Sequence, residues 1–399
     1  MALAAIAPLV LAPRLTTRVI SGYDEFLALE SQWTDLVRRS GASHPFLEHC
    51  WLCSWWDCFG DGSQLRIVTV REGQRLIAAA PLILTTTRIY GVPVRRLGFF
   101  YNPHVPRADF IIAERAEEAC EAIWAELRAA SDWDVIQLCQ LTESSDTLPR
   151  IRELAHRDRL PIGTWKSGAS PRVQIDRTFD QFHQTLAAKF RSNLRNRFKR
   201  LDQVGTVALD TVTGGSRLKE SLDEGLRLEA SGWKGEEGTA ILNDARIQRF
   251  YELFAERAAE RGWLRLNFLR VNGRAAAFDY SLEYANRIFL QKLGHDPEFS
   301  ALSPSNLLLC TALRQAFERG LAEYDFLGEE AEWKRCWTEE AQSNYWLYIF
   351  ANTAKGRLAH WLKFEAAPKL KEDRTVIGIM GAVREMRRKA SGKRGSTNR

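Results

Sequence analysis

Long hydrophobic runs are missing from this 399-residue chain. The apolar opening, residues 1–13, is too short to cross a bilayer and has no basic residues ahead of it, so neither a spanning helix nor a secretory leader is expected. Cysteine is sparse. Seven residues, an odd number without framework spacing, point to a reducing compartment and a cytoplasmic location. Cys50-x-x-Cys53, with Cys58 beyond, has no second pair at zinc-site spacing, so thiols packed on an apolar helix are expected, and no metal. No G-x-S-x-G elbow accompanies the seven histidines, which leaves a Ser-His-Asp triad without support. Net positive charge is also missing outside the end of the chain. Residues 351–399 hold thirteen Lys/Arg and four Asp/Glu, a net of +9 against +6 for the whole chain, so the body carries −3. Basicity therefore belongs to the tail, and DNA binding is not inferred from it.

What is present is globular: 45% hydrophobic and 27% charged residues, with thirteen Trp. The length suffices for two domains. The expected division is an extension over residues 1–14, a first lobe over 15–175, a second over 176–350 and a basic tail over 351–399. The first lobe reads as helices at 23–39, 45–59 and 116–130, and strands at 65–71, 75–84, 96–100, 109–113 and 133–141. Residues 99–109, a Pro-rich loop with Tyr101, Asn102, His104 and Asp109, either line a cleft or form an ordinary connection. Residues 179–201 read as one long helix with Phe182, Leu186, Phe190, Leu194, Phe198 and Leu201 in a stripe. Lys189, Arg191, Arg195, Arg197, Lys199 and Arg200 crowd its other faces, as a solvated surface or as a wall for an anion. Helices at 218–230 and 244–261 follow, then strands at 263–271 and 274–284 joined by the Asn272-Gly273 turn, and a last strand at 345–350.

The chain is organised around residues 287–337. Residues 288–293 suit a buried strand, and a loop with Asp296, Pro297, Ser303 and Pro304 follows. Pro304 is placed as the first residue of a helix in which Leu307, Leu308, Cys310, Thr311, Leu313 and Phe317 recur until Gly320. Residues 324–327 read as a second strand, and such a crossover makes the two strands parallel or near neighbours. The helix start offers unpaired amides at Ser305, Asn306 and Leu307, beside the Ser303 and Ser305 hydroxyls. That arrangement suits a phosphate, although spacing alone favours Ser303 as a plain cap.

Gly294-His295-Asp296-Pro297, Ser303-Pro304-x-Asn306-Leu307-Leu308, Tyr324-Asp325-Phe326-Leu327-Gly328 and Trp333-Lys334-x-x-Trp337 occur in that order. Together they resemble the GNAT-type acyltransferases of the CelD (cellulose-biosynthesis) group, relatives of the FemX/FemAB aminoacyltransferases, over about residues 15–350. The resemblance implies an acyl-CoA N-acyltransferase fold, mixed α/β with two GNAT-like lobes of which the first is degenerate. It also implies acetyl-CoA or another acyl-CoA as co-substrate, and a setting in exopolysaccharide or cell-envelope metabolism. Two departures stand out: His295 where the family has Tyr, and Ser305 where it has Gly. The Q/R-x-x-G-x-G/A loop that holds the coenzyme A pyrophosphate in typical GNAT enzymes has no counterpart here.

Acyl transfer to an amine needs a base and donors for the oxyanion. Asp279, between Phe278 and Tyr280, is a candidate base because such surroundings raise a carboxyl pKa, against a place on the wet face of its strand. The resemblance adds Asp296 from the G-Y-D-P motif, and Lys334 for transition-state charge and donor phosphate. Asp325 is expected to fix local backbone. Glu229, Trp233 and Lys234 look like the family's E-x-x-x-W-K-G segment and, with Arg195, are the candidate acceptor-binding residues, against a plain helix end with a packed Trp. Residues 375–389 fit a basic amphipathic helix able to rest on an anionic membrane or to pack on the body. Three functions follow: acyl transfer from acyl-CoA to an amine or sugar, FemX-like transfer from aminoacyl-tRNA, and a silent pair of lobes that regulates a polysaccharide synthase.

Overall fold

The computed structural model describes residues 14–231 and 240–372. Trp233, Lys234 and the candidate amphipathic segment 375–389 lie outside them. The strands are β1 Leu15–Ile20, β2 Gln64–Leu65, β3 Ile67–Glu72, β4 Arg75–Ala80, β5 Leu82–Ile89, β6 Val92–Phe99, β7 Ile111–Ile112, β8 Val135–Thr142, β9 Ile162–Gln174, β10 Val207–Val212, β11 Leu264–Val271, β12 Arg274–Tyr284, β13 Arg287–His295, β14 Glu323–Asp325 and β15 Ala341–Phe350. Eleven of them form one sheet in the order β10-β11-β12-β13-β14-β9-β15-β8-β6-β5-β2; the other four form a second sheet, β1-β3-β4-β7. Pro81 breaks the strand expected over 75–84 into β4 and β5, so the chain steps from the small sheet to the large one.

The two lobes repeat one crossover. In the first, β6, the helix Ala116–Ala129 and β8 make a parallel pair over Arg96–Gly98 and Val135–Gln137. In the second, β13, the helix Pro304–Glu318 and β14 make a parallel pair over Arg287–Phe289 and Glu323–Asp325. The lobes also exchange strands at their seam. The strand β9 pairs with β14 of the second lobe, whereas β15 pairs with β8 of the first, and β9 and β15 pair with each other.

The Asn272-Gly273 turn has φ of 49° and 82° at its two residues, the left-handed pair that a tight hairpin requires, and β11 to β13 form the expected meander. The helix expected over 179–201 is two helices, Phe179–Thr185 and Ala188–Val204, because Leu186 turns extended with ψ of 150° and drops into the core. The helix expected over 23–39 likewise breaks into Tyr23–Leu27 and Glu30–Arg39. Cys50, Cys53 and Cys58 lie in the core around the helix His49–Phe59, where burial pushes the Cys50 and Cys53 thiols up to about 12.

Candidate active site at the parting of β13 and β14

After Phe289 and Asp325 the two central strands part. β13 continues six residues to His295, while the chain beyond β14 turns away through Leu327 and Gly328, with φ of 47° and 59°. Opposite this opening β13 carries a bulge. Tyr280 pairs with Lys292 but Ser281 pairs with Leu290, so Gln291 is an extra residue without a ladder partner on β12.

The opening continues into a cleft of about 380 Å³ between the lobes. Gln291 and Lys292 form one wall, Leu327, Gly328 and Glu329 another, and Ser167, Gly168 and Asn344 the floor at the strand exchange. The remaining side is the loop after β6, with Tyr101, Pro103, His104 and Pro106. Of the two readings of residues 99–109, the cleft-lining one therefore holds for Tyr101 and His104. Tyr251, from the helix Ala245–Glu260, reaches the same place.

Three of these residues form a cluster. His104 Nδ1 lies 3.2 Å from the Tyr251 hydroxyl and 3.3 Å from Lys292 Nζ, and Lys292 stands 5.3 Å from the Tyr251 ring centre. Burial and the adjacent Lys292 ammonium hold His104 down to about 4, while burial keeps the Tyr251 phenol well above its ordinary value. A lysine only donates and this phenol keeps its proton. Nδ1 is therefore the acceptor, and the neutral imidazole carries its hydrogen on Nε2.

The residues expected from sequence fall in different places. Lys334 is buried behind the cleft wall, where Nζ donates to the carbonyls of Leu327 and Glu329 and stands 5.4 Å from the Trp333 ring centre. It holds the turn that lines the cleft. Asp325 accepts from the Leu327 amide at 2.8 Å, fixing local backbone as expected, and makes a buried ion pair with Arg107 from the first lobe. Asp296 sits past the end of β13, accepts from the Glu298 amide at 3.0 Å and pairs with Arg274. Asp279 is fully buried in β12 and accepts from Asn267 at 2.9 Å and Ser281 at 2.7 Å, while Oδ2 has no partner. Burial raises it to about 7, against those two bonds. Lys334, Asp279 and Asp296 do not meet in one place, and none of them lines the cleft.

At the helix start, Ser303 occupies the cap position with φ of 47°, its hydroxyl makes no capping bond, and its carbonyl accepts from Asn306 and Leu307. Leu307 is buried in the core. Ser305 Oγ lies 3.2 Å from His295 Nδ1, and His295 Nε2 lies 3.1 Å from Ser300 Oγ. The two departures from the family pattern are thus partners of each other. Glu229 is buried and accepts from the Ile241 amide at 3.0 Å. Its helix, Leu218–Ala230, lies so close over β13 that a Cβ on Gly294 would stand 2.6 Å from the Glu229 backbone, which accounts for glycine there.

Arg195 is exposed on Ala188–Val204, and that helix packs beside the turn Pro297–Leu302 that leads to the central helix. Among the described residues, none of its six cations has an ion pair or side-chain hydrogen bond. Sequence reasoning did not single out Lys292, Tyr251, Gln291 or Arg107. A lysine directly after the bulge, inside an otherwise apolar strand, was the one signal available for Lys292.

Residues 188–335 match the family model of an acetyltransferase (GNAT) domain. Among solved structures, the chain is similar to FemX at 12% identity, covering 82% of this chain and 98% of that one with a TM-score of 0.57. It is also similar to the C-terminal domain of a putative lysylphosphatidylglycerol synthetase from Agrobacterium fabrum, at 13% identity over 84% and 95% of the two chains with a TM-score of 0.51. A conserved protein of unknown function from Bacteroides thetaiotaomicron gives 12% identity, 84% and 100% coverage and a TM-score of 0.51. No curated protein sequence matches the chain. The fold is mixed α/β of the GNAT acyltransferase type, in two lobes.

Proposed function

We propose that the chain transfers an acyl group, acetyl in the simplest case, from an acyl-coenzyme A thioester to an amine or sugar hydroxyl held in the cleft between the lobes. The resemblance of its motifs to the CelD group is the support for a setting in exopolysaccharide or cell-envelope metabolism. The observation that carries the reading is the parting of β13 and β14 with the Gln291 bulge at its rim. Parting strands admit an extended thioester arm between them, and a bulge frees backbone groups to bond its carbonyl. The amide of Ser305 at the helix start, with the positive charge of the neighbouring helix Ala188–Val204 that includes Arg195, is what we assign to the donor's phosphates.

In the reaction the acceptor attacks the thioester carbon, the C–S bond breaks, and the thiol leaves with a proton. Charge gathering on the carbonyl oxygen meets the Lys292 ammonium and the Nε2–H of neutral His104. Glu329, the carboxylate among the described lining residues, is placed to take the acceptor's proton. Lys334 acts through the turn it holds.

Thermal shift with acetyl-CoA and longer acyl-CoAs tests the donor: at a hundred times its Kd a ligand stabilises by about 2.7 kcal/mol. Release of free thiol over a panel of amines and amino sugars then tests the acceptor. A shift with wild type that is weakened in Arg195→Ala supports the reading. The unpaired cations of Ala188–Val204 favour a second reading, transfer from aminoacyl-tRNA. Binding of tRNA without any response to thioesters would select it, and response to neither would leave the regulatory role.

A further inference from the structure

We propose that the outer face of the helix that follows β15, Ala354–Trp361 with the turn Leu362–Ala366 that continues it, docks on an anionic membrane surface. The helix packs against β15, in the interior of the large sheet. Gly356 and Ala359 face inward, and Phe364 fills the space left by Gly163, where a Cβ would stand 2.1 Å from its ring. The opposite face is not polar. Leu358 is 47% and Trp361 49% exposed, three residues apart and so on one side of the helix.

Two further exposed rings belong to the same neighbourhood. Trp165, 42% exposed, stacks on Trp346 at 5.6 Å and lies 4.3 Å from Lys363 Nζ; Tyr90, 55% exposed, follows Ile89, which packs in the cluster with Tyr348, Phe350 and Phe364. Half of the eight exposed large apolar side chains of the described residues therefore gather around this one helix. Scattered single apolar residues need no explanation, whereas a gathered set marks an interaction surface.

The charge around the patch selects its partner. Lys166, Arg357 and Lys369 are exposed, Lys363 extends over the Trp165 and Tyr348 rings, and Glu365 is the one acid between residues 351 and 369. The sequence beyond Glu372 adds eight Lys/Arg against Asp373 and Glu385. A nucleic acid would satisfy the cations but leave Leu358 and Trp361 in water, and a protein partner gives no reason for so one-sided a charge. Tryptophan, leucine and lysine side by side on a helix are what the boundary between headgroups and acyl chains takes up. Leu358, Trp361, Trp165 and Tyr90 are not among the residues that line the cleft, so the proposal does not depend on which donor or acceptor the cleft takes.

Flotation of the full chain with vesicles of phosphatidylcholine, with and without phosphatidylglycerol, tests this. The expected result is flotation only with the anionic vesicles, weakened by salt. Leu358→Ser with Trp361→Ser should lower the partition coefficient at least about tenfold, and Arg357→Glu with Lys369→Glu should lower it as well. Val204→Ser, at an exposed apolar residue on a distant helix, should leave it unchanged. Circular dichroism confirms that each variant is folded, and the charge-reversal pair stands in if the apolar pair is not. The proposal is overturned if wild type floats with neither vesicle, or if the Leu358 and Trp361 substitutions leave flotation intact. It is equally overturned if light scattering shows a dimer that those substitutions disperse while no vesicle binding is found.

Discussion

The two crossovers of this protein share a plan and differ in what stands where their strands part. In the first lobe, the loop after β6 folds back and its Ala108 amide donates to Gln140 on β8, while Phe99 and Phe110 meet edge to face at 5.8 Å. The space is filled by the chain's own loop, and the following helix opens with Glu117 and Glu118, which repel an anion. In the second lobe the strands part around a cleft, and the helix opens with Pro304, Ser305 and Asn306, with no acid in its first turn. One crossover has become scaffold and the other a site. The loop that closes the first also supplies His104 to the second and anchors it through Arg107.

Arg107→Ala should break this division of labour most severely. It leaves the Asp325 carboxylate buried without its partner, which costs about 3–5 kcal/mol, and chemical denaturation should read that loss directly. Next, Lys292→Ala should lower kcat about 10²–10³-fold with little change in melting temperature, as loss of one oxyanion partner does. His104→Ala should act in the same sense, with acyl-CoA binding retained in both.

The pH dependence separates the lobes. Burial raises the Glu48 carboxyl and lifts Asp109 to about 6 in the first lobe, and lifts Asp279 to about 7 in the second. A raised carboxyl keeps its proton in the folded state after the unfolded chain has lost it. Stability is therefore full below about 4 and falls as pH rises to about 6 for Asp109 and to about 7 for Asp279. Asp279→Asn should remove the part of the decline that extends to pH 7, and Asp109→Asn the part that ends near 6, in melting curves collected across that range.

The smallest effect is expected at the helix start. His295→Tyr and Ser305→Gly restore the family pattern one residue at a time. Their effects on acyl-CoA affinity should be non-additive by about 0.5–1 kcal/mol, because each single change strands the other's hydrogen bond. Additive effects would show that the pair is incidental.

The central crossover and the meander before it were legible in the sequence because their signals are local: a proline at the helix start and helical spacing in the one, an Asn-Gly turn in the other. The seam was not. The thirteen-residue β9 contains Gly163, Gly168 and Pro171 with polar residues between, so its alternation is broken, and only its two neighbours in the sheet make it a strand. Much of the cleft escaped for a similar reason. Tyr251, Lys292 and Glu329 come from separate elements, and nothing in their spacing says that they meet. The neighbours of Asp279 fitted a buried or a wet position alike; both its burial and its distance from the cleft depend on how sheet and helix stack, which spacing does not encode.

The exchange of β9 and β15 also sets an order of events during synthesis. The inner edge of β8 stays open until residues 341–350 leave the ribosome, and β9 has no partner on either side until the whole second crossover exists. Neither lobe can close early, so the nascent chain carries an unpaired sheet edge for most of its translation, the condition under which strands join the wrong chain. Dependence on a chaperone while the chain is being made, followed by a finished protein that does not come apart into halves, is the behaviour such a seam dictates.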